Sequence, residues 1–129
     1  MRTTIRLIAV VATLVVAGAA FGVTATGQFR ASLTSTTHSP TVNQRWTYYL
    51  AARTLKGKRL KASAHVQVFE GGKRVNIIGW HQFTGSYHQS IRWAPTTRGH
   101  RYQFQALLIA TGANGKKSQL KLNYTVTPK

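Results

Sequence analysis

Beyond Pro40, apolar and polar residues alternate along the chain with the two-residue period of strands that bury one face. Across Gln44–Arg53, Trp46, Tyr48 and Leu50 fall on one side, and Thr47, Tyr49 and Arg53 on the other. Leu60–Phe69 sets Ala62, Ala64, Val66 and Val68 inward against Lys61, Ser63, His65 and Gln67. Arg74–Ile78 carries apolar Val75 and Ile77, and Tyr87–Trp93 aligns Tyr87, Gln89, Ile91 and Trp93. Arg101–Thr111 shares a face of Tyr102, Phe104, Ala106 and Leu108; the last strand, Lys117–Thr127, one of Leu120, Leu122, Tyr124 and Val126.

Turn chemistry separates these runs. Lys56-Gly57-Lys58 reads as a turn, and Glu70-Gly71-Gly72-Lys73 as a tight hairpin, since two glycines supply the positive φ such a turn needs. Gly112-Ala113-Asn114-Gly115 is a further hairpin signal. No stretch after residue 26 combines a helical period with capping residues. The expected fold is all-β: an immunoglobulin-like β-sandwich of about seven antiparallel strands over residues 40–129. Two segments fit the alternation less well. Gly79–Gly85 breaks it, and its aromatics, Trp80 and Phe83, are expected to plug one end of the sandwich. Thr26–Ser39 is rich in Ser and Thr and reads as a flexible lead-in that becomes an edge strand.

The first 25 residues read differently. Arg2 and Arg6 precede an apolar run, and Val23-Thr24-Ala25 offers small residues for signal-peptide cleavage after Ala25, with Ala20-Phe21-Gly22 as a weaker site. The apolar stretch Leu7–Val23 also reaches the lower length limit of a membrane-spanning helix, so an uncleaved anchor stays open. Both outcomes place the body outside the cytoplasm.

Charge changes the picture most. The chain has 18 Lys plus Arg against a single acid, Glu70, for a formal net charge of +17. Only Arg2 and Arg6 lie in the leader, so the charge belongs to the body. A field of one sign attracts polyanions and repels itself in the compact state. Strand parity and turn positions expose a set of cations for such a partner. Arg53, Lys56, Lys58 and Arg59 cluster at one turn, Lys73 and Arg74 mark a second, and Lys116 and Lys117 flank a third; Lys61, Arg92, Arg101 and Lys121 point outward from strands. The spread is expected to be circumferential, with no single groove. Outward Tyr49 and Phe69 are the candidates for stacking against bases.

The segment Ala94-Pro95-Thr96-Thr97-Arg98-Gly99-His100-Arg101-Tyr102-Gln103-Phe104-Gln105-Ala106 resembles the entry to the penultimate strand of fibronectin type III and related immunoglobulin-like domains. That resemblance implies that Tyr102 is a structural corner residue, its ring in the core and its hydroxyl bonded back to upstream backbone. The early position of Trp46 and the lack of cysteine depart from the antibody pattern. The layout is similar to short exported immunoglobulin-like proteins of actinobacteria, which implies a wall- or surface-associated module and brings no catalytic residues with it.

Candidate chemistry is sparse. Paired-carboxylate hydrolysis needs a second acid, and a serine triad needs an acid to orient its histidine as well as a nucleophile elbow. Glu70 alone, beside a diglycine turn, reads as a solvated residue or a partner of Lys73. The absence of cysteine removes disulfides, thiol nucleophiles and thiolate metal sites. Among His38, His65, His81, His88 and His100, only His81 and His88 are spaced to face each other over a turn, which is half a zinc site. No enzyme activity, cofactor or metal is expected. The expected role is adhesion to an anionic envelope polymer or another polyanion. Action on anionic membranes and extracellular nucleic-acid binding are the alternatives, and membrane contact otherwise runs only through the leader, if it stays uncleaved.

Overall fold

The computed structural model describes the backbone of Thr24–Ala25 and residues 28–129. The expected leader lies outside the described residues apart from those two. The strands are β1 (Thr24–Ala25), β2 (Arg30–Ser35), β3 (Arg45–Arg53), β4 (Lys61–Glu70), β5 (Lys73–Thr84), β6 (Ser86–Arg92), β7 (Tyr102–Thr111) and β8 (Lys117–Val126). They form two sheets, ordered β1-β2-β3-β6 and β5-β4-β7-β8, in which every pairing is antiparallel. Counting β2 to β8 as seven strands in chain order, the first, second and fifth make one sheet and the third, sixth and seventh the heart of the other. This is an immunoglobulin-like β-sandwich whose fourth strand, β5, pairs with the third, β4.

The alternation seen in the sequence becomes the core. Trp46, Tyr48, Leu50 and Ala52 of β3 face Ala62, Ala64, Val66 and Val68 of β4 and Phe104, Ala106, Leu108 and Ala110 of β7, all buried. Large and small residues are segregated along the sandwich. At one end Phe104 packs edge-on to Trp46 at 5.2 Å and tilts against Tyr48 at 4.7 Å, with Trp93, Tyr102 and Tyr124 around them. At the other end the core consists of alanines from four strands (Ala31, Ala52, Ala62 and Ala110) together with Phe29 and Phe83. Interdigitation of this kind fills an interior to crystal-like density.

Two expectations are corrected. The lead-in becomes a strand, as expected, but it is a packed part of the sandwich from Phe29 onward: β2 pairs with β3 from Arg30↔Arg53 to Ser35↔Tyr48, and Phe29, Ala31 and Leu33 are buried. The domain therefore begins well before residue 40. Ser and Thr on the outer positions of β2 disguised a strand whose inner positions are apolar. Gly79–Thr84, in turn, is not a plug but the second half of β5. Register shifts against β4 between Val66/Gln67 and Val68/Phe69 insert extra residues, so the two-residue period loses phase while the ladder continues. Phe83 points into the core, as expected; Trp80 points out of it and is 56% exposed.

One residue, Gly85, carries the chain from β5 in one sheet to β6 in the other. Its φ is +82°, and a Cβ there would lie 2.4 Å from Arg59 Nε. Its N–H donates to Leu60 O and its carbonyl accepts from Ala52 N–H, which ties the crossing to the β3–β4 connection. Only glycine combines that backbone with that proximity.

Candidate polyanion-binding surface

The strand ends fix where the cations go. At the Gly85 end of the sandwich lie Arg30 at the start of β2, Arg53 at the end of β3, Lys56, Lys58 and Arg59 in the following connection, Lys61 at the start of β4, and Lys116 and Lys117 at the β7–β8 turn. At the opposite end lie Arg45, Lys73, Arg74, Arg92, Arg98, Arg101 and Lys129. Lys121, mid-way along β8, is the one Lys or Arg among the described residues that belongs to neither end. The expected circumferential spread is therefore corrected to two cationic poles, separated by about 27 Å along β3 at about 3.4 Å per residue.

Within the poles, like charges stand opposite each other. Arg30 is the cross-strand partner of Arg53, which also bridges to Arg59; at the other end, Arg45 is the partner of Arg92. Direct like-charge pairing of this sort is destabilising. Arg59 Nη2 donates to Thr84 O at 2.8 Å and Arg92 Nη1 to Asn43 O at 2.6 Å, so carbonyl groups orient two of the guanidinium groups while leaving their charge uncancelled. Glu70 is the cross-strand partner of Lys73 but forms no salt bridge with it: its Oε2 lies 2.8 Å from His100 Nδ1. Among the described residues, no Lys or Arg forms a salt bridge with an acidic side chain.

Between the poles, the outer faces are uncharged or nearly so. On the β3–β6 face Thr47 Oγ1 and Ser90 Oγ share a hydrogen bond at 2.7 Å, and Tyr49, 43% exposed, lies beside His88. Phe69, the other proposed stacking residue, is half-buried. Sequence reasoning missed Arg30, because its strand was read as a lead-in, and Arg45, which sits beside the first buried residue of β3. It also missed the exposed pairing of Trp80 with His65, whose ring planes lie 9° apart with centroids at 4.6 Å.

The histidine pair suggested by spacing is not brought together. His81 lies opposite Ala64 and stacks on Tyr87, whereas His88 sits on the far side of the other sheet beside Tyr49. Among the described residues, no group of three or more potential metal ligands forms. Burial lowers the His81 pKa, and its Nδ1 lies 3.1 Å from the Tyr87 hydroxyl. Tyr102 has its ring in the core, as expected, with its phenol pushed up by burial and then by the charge of Glu70. Its hydroxyl finds no hydrogen-bond partner among the described residues. The bond across to upstream backbone is made instead by Tyr124, whose hydroxyl donates to Ser35 O at 3.2 Å.

No protein-family model and no curated protein matches this chain. Among solved structures it is similar to the PKD domain of an M14-like peptidase from Thermoplasmatales archaeon SCGC AB-540-F20. The identity is 12% and the TM-score 0.44, over 75% of this chain and 92% of that one.

Proposed function

We propose that this chain is an exported, non-catalytic β-sandwich that adheres to anionic envelope polymer through its two cationic poles. One observation carries the reading: arginines are paired with arginines across β3, while the single acid is engaged by a histidine. A fold that accumulates uncompensated like charge at its ends loses stability by doing so, and an external polyanion supplies the missing counter-charge. The export leader expected from the sequence, cleaved or kept as an anchor, would bring the body to where such polymers lie. A single side-chain carboxylate, held at the surface by a contact with His100, supports a binding role over hydrolysis.

The test is calorimetric titration of the purified protein with polyphosphate at several salt concentrations, beside Arg53→Gln/Arg59→Gln. The logarithm of the association constant should fall linearly with the logarithm of salt, as for other polyelectrolytes, and the double variant should flatten that slope by about one to two units. Salt-independent binding, or none at low salt, would remove the proposal. Fractionation of the expressing cells provides the second arm: the protein should travel with the envelope and be released by high salt.

A further inference from the structure

The outer face of the β5-β4-β7-β8 sheet is chemically unlike the poles. Register aligns Trp80, His65, Leu107 and Lys121 in a single row across its four strands. The row to one side contributes the amides Gln67, Gln105 and Asn123; the row to the other contributes Gln82 and Gln119. Gln105 Nε2 donates to Asn123 Oδ1 at 3.1 Å, and Arg74 Nη1 to Gln67 Oε1 at 3.2 Å, so neighbouring side chains hold amide planes in place. His65 covers one face of the Trp80 ring by parallel stacking, and the 56% exposure of Trp80 leaves the rest to solvent. These rows contain no acid.

Each part matches one feature of a charged sugar chain. An open indole ring offers a flat, polarisable surface to the C–H face of a pyranose. A carboxamide presents a donor and an acceptor on one rigid plane, which suits adjacent hydroxyl groups. Lys121 ends the row with a cation about 14 Å from Trp80, counting strands about 4.8 Å apart, and is placed to meet a carboxylate, sulfate or phosphate on a sugar further along the chain. A polyphosphate would use neither the ring nor the amides. A nucleic acid would call for successive aromatic platforms with cations between them; here one platform is bordered by amides, and all cations but Lys121 lie at the poles.

We propose that this face binds an acidic polysaccharide, with one sugar ring stacked on Trp80 and its neighbours held by the amide rows. The inference rests on the polyanion reading above and names the class of polymer. Occupation of the face would lay the chain between the two poles, so that ring stacking selects the polymer and the poles add affinity.

The experiment titrates the purified protein, Trp80→Ala and Trp80→Tyr with polygalacturonate, polyphosphate and oligo(dT) at low ionic strength, after checking that all three proteins melt alike. Polygalacturonate binding should weaken about tenfold or more in Trp80→Ala and be largely retained in Trp80→Tyr, with polyphosphate binding unchanged. Gln67→Ala and Gln82→Ala should weaken polygalacturonate binding in the same direction by a smaller factor. Indifference of polygalacturonate binding to Trp80→Ala would overturn the platform, while salt-sensitive polyphosphate binding would leave the polar adhesion reading standing. Tighter binding of oligo(dT) than of polygalacturonate, lost in Trp80→Ala, would give the ring to bases and overturn the polysaccharide assignment. No binding to any of the three polymers would remove both proposals together.

Discussion

Tyr102 and Tyr124 sit on adjacent strands, two residues apart in register and both buried, yet their hydroxyls have different fates. Tyr124 reaches Ser35 O in the opposite sheet, whereas Tyr102 packs its ring against Trp93 and leaves its hydroxyl without a partner among the described residues. Tyr124→Phe should therefore destabilise the protein by about 1 kcal/mol, the typical net worth of such a bond. Tyr102→Phe should change stability by less than about 0.5 kcal/mol, as for substitutions that break no specific interaction. Urea denaturation of the two variants checks this; the reverse order would return the corner role to Tyr102. A second residue-scale effect involves His81. Its pKa lies below the ordinary 6.5 because burial disfavours the charged ring, and its Nε2 is buried without a partner among the described residues. The unfolded chain takes up this proton at the ordinary value while the folded chain resists it. The neutral-form contribution is thus fully present above about pH 6.5 and is lost as pH falls toward the folded pKa. The melting temperature should decline on acidification from pH 7.5 to 5, and His81→Gln should show a shallower decline.

At the scale of elements, the ends of β3 concentrate the tension between stability and binding. Arg53 faces Arg30 directly and bridges to Arg59, so replacing it with the opposite charge converts repulsion into attraction. Arg53→Glu should stabilise the fold by roughly 0.5 kcal/mol, within the range of cross-strand charge pairs. The same change should weaken polyphosphate binding. Thermal melts paired with titrations test both halves; a variant that is less stable and binds normally would show that the arginine pair is structural. The course of β5 also belongs to this scale. Its bulges lie at Val75 and Ile78, and from Gly79 to Thr84 the ladder with β4 is unbroken, so Trp80 and Phe83, three residues apart, fall on opposite faces: Trp80 beside outward His65 and Phe83 beside buried Ala62.

For the molecule as a whole, charge of one sign at both poles should make stability respond to ions. Self-repulsion between groups within each pole is screened as the Debye length shortens from about 10 Å at 0.1 M salt to about 3 Å at 1 M. The melting temperature should rise with sodium chloride over that range, and rise at much lower concentration with polyphosphate, because a ligand that binds only the folded state adds stability by mass action. A melting temperature that is flat in salt and unmoved by polyphosphate would argue that the poles are too well solvated to matter.

How much of this was legible beforehand follows from the range over which each property is set. Strand periodicity, the diglycine hairpin, the inward faces of β3, β4, β7 and β8 and the sign of the charge depend on neighbours one or two residues away, so the sequence alone determined them. Glycine-rich turns and the missing helical period led to the all-β class by the same short-range logic. Tertiary structure alone decided which strand ends meet. Arg30, Arg53 and Arg59 converge, as do Arg45 and Arg92, only because antiparallel register folds distant segments onto one another. The same pairing set Trp80 beside His65, chose Tyr124 over Tyr102 for the cross-sheet bond, and parted His81 from His88. Local pattern fixes which way a side chain points within its strand, but its companions come from the packing of strands far apart in the chain.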